Sequence, residues 1–394
     1  MSERSAAARQ GDPIRIVLVD LLGGVTSYAL DLTALEAFQR RGAELLWLES
    51  ALPGATPLGV EASVPSRRVR HEWPGENAFA VLRRMQRAQG PGRGALVANE
   101  FFGLAFGARY GAGAPLVQIL HGDIPFYYRL AEEFEPWVDA FVAVSERVAK
   151  ETARRLPRRV DDVHHLPTGV PLPARLRMPV SGPLRLVYSG RIERNKGVLD
   201  LPAIDRRLRR DGVQAIWSVI GSGPDEAALR RGFDAEAKVA FTGAQSPDAC
   251  RALLPDHDVL VLPSYGEGLP LSLLEAMGAG LVPVVSDLES GIREVVDDGV
   301  NGWLARPGQP DDFAVAIARL HHRRDRLEEC SRAAAERVRT HHSLRERGEA
   351  WLDLISDLEE RPPRQKPIWR RGPSRLDRPW LPNWVVRGVR RLAR

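Results

Sequence analysis

The sequence predicts an α/β protein built as two Rossmann-like, doubly wound domains of similar size, their strand C-termini facing a central cleft. Three observations carry this. Short apolar runs alternate with helical patterns almost throughout, which argues for parallel sheets. A Pro-rich stretch from Leu166 to Pro183 divides the series in two. Several apolar runs end in glycine and lead into a helix, as ligand-binding crossovers do. The length of 394 residues suits two ordinary domains.

The elements follow in order. Residues 1–12 read as a flexible N-terminus. The first domain, 13–172, opens with a buried strand over Ile14–Asp20, then Gly23-Gly24, then an amphipathic helix over Ser27–Arg41. Further strands are predicted at Ala43–Leu48, Ala95–Ala98, Pro115–Leu120 and Asp139–Val144, and Ser145 is placed to cap the next helix. The second domain, 173–342, carries predicted strands at Leu184–Ser189, Ala215–Ile220, Lys238–Thr242, Asp258–Pro263 and Val282–Ser286. Its helices are predicted at Gly197–Arg209, Pro224–Gly232, Leu271–Ala279, Asp311–His322 and Arg324–Thr340. Trp351, Leu352, Leu354, Ile355 and Leu358 mark one more helix over 343–360. Residues 361–394 form a basic Trp/Arg-rich tail.

Composition bounds the function. Hydrophobic content of 44% and charged content of 27% fit a soluble globular protein. No apolar run reaches transmembrane length, and residues 1–12 lack the apolar core of a secretory signal. The two cysteines, Cys250 and Cys330, form neither a metal-ligand spacing nor a disulfide framework, so a reducing cytoplasm is expected. The tail holds eleven arginine or lysine residues against one acid, Asp377, so it carries +10 within a chain of net charge +5. Residues 67–93 add seven arginines against Glu72 and Glu76. Arginine interleaved with Trp380, Trp384, Val385, Val386, Val389 and Leu392 suits an anionic membrane surface. A solvated tail, or one packed on its own domain, is the alternative. No nucleic-acid recognition module is visible.

The richest stretch is Glu267-Gly268-Leu269-Pro270-Leu271-Ser272-Leu273-Leu274-Glu275, with glutamates eight positions apart after a buried strand. Gly266 and Gly268 permit a tight turn, and Pro270 suits the first helical position. The N–H groups of Leu271 and Ser272 then open a helix N-terminus, a ready phosphate site. The two carboxylates, at different depths, can accept hydrogen bonds from sugar hydroxyls on either side of a phosphate. The segment resembles the Glu-x7-Glu signature of retaining GT-B glycosyltransferases, especially glycosyltransferase family 4. Gly190-Arg191-Ile192-Glu193-Arg194-Asn195-Lys196-Gly197 resembles the same family's Gly-Arg-x-x-x-x-Lys-Gly segment.

The resemblance implies the GT-B fold, no cofactor beyond a nucleotide diphosphate sugar as donor, and no metal. It implies a glycan, lipid-linked or small-molecule acceptor, and a place in envelope polysaccharide, lipopolysaccharide or glycolipid synthesis; the expected location is the cytoplasm, with the basic tail as the feature that would hold the protein peripherally on the inner membrane face. Arg191 and Lys196 would clamp the diphosphate, Glu267 would hold the transferred sugar, and Glu275 the ribose. Gly221, Gly268, Leu269, Leu271 and Ser272 would lie on the donor. Gly23 and Gly24 would bring backbone N–H groups to the diphosphate from the first domain. His121, ending a buried strand before Gly122, is similar to the family's active-site histidine. Asp256-His257-Asp258 resembles a metal-binding Asp-x-Asp, but it enters a buried strand and is read as structural. A GT-B phosphorylase, a nucleotide-sugar epimerase and a non-catalytic nucleotide-sugar-binding subunit are the competing classes.

Overall fold

The computed structural model describes residues 12–19, 23–51, 61–89, 94–111, 113–179, 181–370 and 372–392. The chain forms two compact units. One comprises Met1–Val144, Val148–Leu166 and Gly348–Arg394; the other comprises Pro167–Arg347 with Ser145–Arg147.

The sheet of the first unit is built from β1 (Arg15–Val19), β2 (Glu44–Ser50), β3 (Ser66–His71), β4 (Leu96–Ala98), β5 (Leu116–Leu120), β6 (Ala140–Ala143) and β7 (Val163–His165). Its order is β3-β2-β1-β4-β5-β6-β7, and every pairing is parallel. The strand order reverses between β1 and β4, the place where doubly wound sheets bind ligands at the strand C-termini. The apolar runs bury both faces, as parallel sheets require.

The second unit repeats the plan with β8 (Leu184–Ser189), β9 (Ala215–Ile220), β10 (Val239–Gly243), β11 (Val259–Leu262), β12 (Val282–Ser286) and β13 (Trp303–Ala305). The order is β10-β9-β8-β11-β12-β13, again all parallel, with the reversal between β8 and β11. Its core is one cluster including Leu186, Trp217, Val261, Leu274, Val284 and Phe313.

Several local expectations change. The helix expected over Ser27–Arg41 is two, Gly24–Ala34 and Glu36–Arg40, because Leu35 adopts an extended backbone (φ −62°, ψ 133°). The helix expected from Gly197 begins at Leu201 after two 3-10 turns. Pro270 is not the first helical residue but the N-cap of the helix Leu271–Gly278, with ψ 127°. Strand β3 was not expected. Only its Val69 is buried, while Arg68 and Arg70 donate to Glu49 on β2 at 2.7 and 3.3 Å. Thus two arginines of the basic 67–93 stretch serve this sheet edge. Asp20, assigned to the first strand, lies outside the described residues.

From Gly348 the helix Leu344–Glu360 belongs to the first unit, where Trp351 Nε1 donates to the Tyr28 hydroxyl at 3.0 Å. The tail also packs there. Trp369 is buried with its ring 5.2 Å from Phe79, 5.9 Å from Phe101 and 6.3 Å from Phe134. Buried Asp377 accepts from the Ala78 N–H at 2.8 Å. Among the described residues, no helix is long and apolar enough to cross a membrane.

Candidate active site

In the second unit the expected donor residues gather at the β8/β11 reversal. After β8 the chain passes Gly190 and Arg191, shaped by Tyr188, whose hydroxyl donates to the Arg191 carbonyl at 2.6 Å. After β11 it passes Pro263 and Ser264. Gly197 joins the two turns: it has φ +65°, and a Cβ there would collide with the Pro263 carbonyl oxygen. The Tyr265 N–H donates to the Asn195 carbonyl at 2.9 Å, tying the same turns together. Gly221, with φ +135°, lets the turn after β9 lie against the Gly190 carbonyl in the same way.

This frame brings Lys196 and Glu267 together. Lys196 Nζ lies 2.8 Å from Glu267 Oε2, and Ser264 Oγ donates to Glu267 Oε1 at 2.8 Å. The Glu267 side chain is only 9% exposed and that of Lys196 27%, so the pair is partly withdrawn from water. Arg191 does not join them. Its guanidinium pairs with Glu193 at 2.9 Å and stays largely solvated. The two cations expected to act together thus each pair with a glutamate, Lys196 with Glu267 and Arg191 with Glu193.

Gly268 and Leu269 pack against Gly291. The helix Leu271–Gly278 starts at Leu271 and Ser272, and its N-cap Pro270 supplies no side-chain oxygen to the first N–H groups. Glu275, four residues along, accepts from Arg251 at 3.1 Å. Arg251 comes from the helix Pro247–Leu253 and also bonds Asp248. Sequence reading missed Arg251 because no local motif links it to Glu275. Ser264 was more accessible, three positions before Glu267.

Asp258 is wholly buried and accepts from Arg177 Nε at 2.8 Å and from Arg185 Nε at 3.0 Å. Burial raises its carboxyl, but these bonds outweigh it and hold the group below the usual carboxylate range. Its oxygens thus bind two arginines of its own unit.

The first unit presents its own expected residues at strand C-termini. Gly23 takes the N-cap position of the helix Gly24–Ala34, and a Cβ added there would meet nothing within 4 Å among the described residues. His121 follows β5, half-buried, its ring 6.0 Å from that of Tyr127. Burial pushes its imidazole down to about 4, so it is neutral at pH 7. It borders a small apolar pocket with Val25, Tyr28, Ile119, Trp351 and Ile355. Two neighbours were not anticipated. Asn99, on the same pocket, has a buried Oδ1 with no hydrogen-bond partner among the described residues. Glu100 caps the helix Phe101–Tyr110 by accepting from the N–H groups of Phe102 (2.6 Å) and Gly103. Burial outweighs these bonds and raises its carboxyl to about 7.

Both units have matches among known proteins. Residues 22–173 match the family described as Glycosyltransferase Family 4, and residues 183–323 match Glycosyl transferases group 1. The colanic acid biosynthesis protein WcaL of Salmonella typhimurium is 33% identical over 168 residues, 40% of this chain and 41% of its own length. The amylovoran biosynthesis glycosyltransferase AmsK of Erwinia amylovora is 34% identical over 155 residues, 37% of this chain and 38% of its own length. These matches thus span about two fifths of the relatives. In fold, HepE of Anabaena, solved with UDP and glucose, superposes with a TM-score of 0.71 at 15% identity, covering 88% of this chain and 99% of its own. Taken with the paired strand orders and the two glutamates at the β11 end, these matches mean that the chain belongs to the GT-B glycosyltransferases of the family 4, group 1 type.

Proposed function

We propose that the protein transfers a sugar from a nucleotide diphosphate to an acceptor hydroxyl with retention at the anomeric carbon, in synthesis of an envelope polysaccharide, lipopolysaccharide or glycolipid. The observation that carries this is the Lys196–Glu267 pair at the β8/β11 reversal, just before the helix that carries Glu275 one turn from its start. The anomeric C–O bond to the diphosphate breaks as the acceptor oxygen bonds to the same face. The acceptor's proton passes to an oxygen of the departing phosphate, so no separate protein base is needed. The leaving group gains negative charge as the bond breaks. Lys196, Arg191 and the N–H groups of Leu271 and Ser272 meet that charge. Glu267 orients the sugar, Glu275 the ribose, and neutral His121 hydrogen-bonds the sugar rather than adding charge.

HepE, a structural neighbour, is solved with UDP and glucose, so uridine diphosphate sugars head the list of donors to try. The test is a panel of nucleotide sugars incubated with the purified protein, following release of nucleoside diphosphate without acceptor. Slow release from one donor is expected and names the sugar. Tight binding with no release from any donor, with or without glycan acceptors, would instead favour a binding subunit.

A further inference from the structure

The end of the tail forms a helix, Asn383–Leu392, whose amphipathic character runs opposite to that of an ordinary surface helix. Its charged side faces the protein. Arg390 donates to Asp377 Oδ2 at 2.8 Å, to Ser374 Oγ at 2.7 Å and to the Pro74 carbonyl at 2.6 Å. Arg387 lies 3.3 Å from a Glu72 oxygen and 3.5 Å from a Glu76 oxygen. Asn383 accepts from the Asn77 N–H at 2.8 Å and donates to Glu76 at 3.2 Å. Val386, on the same side, is fully buried.

The apolar side faces out. Trp384 is 76% exposed, Leu392 90% and Val389 44%, and Trp380, just before the helix, is 74% exposed. Trp384, Gly388 and exposed Arg391 follow each other at i, i+4, i+7 along one stripe, beside Val385, Val389 and Leu392. The helix contains no acid, and the nearby Glu72, Glu76 and Asp377 are engaged by Arg387 and Arg390.

We infer that this helix is a docking face for an anionic lipid surface, lying flat with Trp380, Trp384, Val389 and Leu392 inserted at the headgroup level and Arg391 against lipid phosphate. Two features select a membrane over a protein partner. Tryptophans at the edge of an apolar patch prefer the membrane interface, and the outward face offers the cation Arg391 with no acid in the helix beside it. A ten-residue helix rises only about 15 Å, too short to span a bilayer. The tail's arginines thus divide their work: Arg387 and Arg390 hold the helix to the protein, and Arg391 is left for lipid. This rests on the proposed function only for what such a surface would present, a lipid-linked acceptor.

The test is co-sedimentation of the full chain with vesicles of phosphatidylcholine alone or mixed with phosphatidylglycerol. The expected result is binding that depends on the anionic lipid and weakens roughly tenfold or more in Trp384→Ser/Leu392→Ser. Arg391→Gln should erase part of the preference for anionic vesicles. All three positions are exposed, so an unchanged melting temperature and unchanged donor release would show the variants folded. Absence of vesicle binding, or binding indifferent to these changes, overturns the inference. So does concentration-dependent self-association of the wild type that Trp384→Ser abolishes, because a second copy would then cover the face. Donor release read on the same samples separates this outcome from failure of the transfer reading.

Discussion

Replacing Lys196 with alanine separates two roles that the structure superimposes. In the resting protein its ammonium sits 2.8 Å from Glu267 Oε2. At an effective dielectric of about 20, that separation gives a gross attraction of about 6 kcal/mol, most of it offset by desolvation. The net loss of stability from Lys196→Ala should be about 1–3 kcal/mol, since Glu267 keeps Ser264 as a partner. Catalysis should suffer differently. If the ammonium meets charge that develops on the departing diphosphate, its loss should lower kcat by about 100- to 1,000-fold, or 2.7–4 kcal/mol. One complication is visible in the geometry: without Lys196, the bare Glu267 carboxylate would repel the diphosphate and raise KM as well. The double variant Lys196→Ala/Glu267→Gln removes that repulsion. Donor KM should then recover toward the wild-type value while kcat stays low. The assay is steady-state release of nucleoside diphosphate, with urea unfolding of each variant alongside. Equal loss in kcat and donor affinity in the double variant, or a kcat within about threefold of wild type in Lys196→Ala, would refute the role given to Lys196.

Other positions give independent checks. Gly197→Ala places a Cβ against the Pro263 carbonyl at φ +65° and should cost at least about 3 kcal/mol of stability and abolish donor binding; a loss under about 1 kcal/mol would contradict the close approach of those turns. Trp369→Ala opens a hole among Phe79, Phe101 and Phe134 and should cost about 3–5 kcal/mol by chemical denaturation, whereas a merely solvated tail would lose almost nothing. Buried His342, whose Nδ1 lies 2.9 Å from the Thr168 carbonyl, is pushed down to about 4 by burial. The unfolded chain therefore binds the proton more readily, and its contribution is intact above pH 6.5 and lost as pH falls toward 4, by up to about 3 kcal/mol. His342→Gln should flatten that part of the stability–pH curve, and an unchanged slope between pH 7 and 5 would exclude the effect.

What could be read in advance divides along physical lines. Strands β1, β2, β5, β6, β8, β11 and β12 were legible because burial on both faces demands unbroken apolar runs. Strand β3 was not, since its sequence Ser-Arg-Arg-Val-Arg-His looks solvated until Glu49 is placed beside it. The three-residue edge strands β7 and β13 are too short to leave a pattern. At the site, Lys196 and Glu267 were each marked by neighbouring glycines, but their pairing was invisible. They are 71 positions apart and meet only because β8 lies beside β11. Arg251 on Glu275 is the same kind of fact. In the tail, composition showed arginine and tryptophan together, but only the helix register shows which of them turn inward.

The first unit is discontinuous, and that has a consequence for how the molecule comes into being. Its sheet is complete by His165, yet Trp369 and Asp377, which fill and tie its interior, are made more than 200 residues later. The second unit is almost wholly contained in Pro167–Arg347 and can close while the first still lacks its last pieces. During synthesis the earlier-made sheet must therefore wait with Phe79, Phe101 and Phe134 uncovered, an interval in which apolar surface invites misassociation. Loss of the last thirty or so residues would make that interval permanent, so the segment acts as a late-arriving clasp on the part of the protein synthesised first.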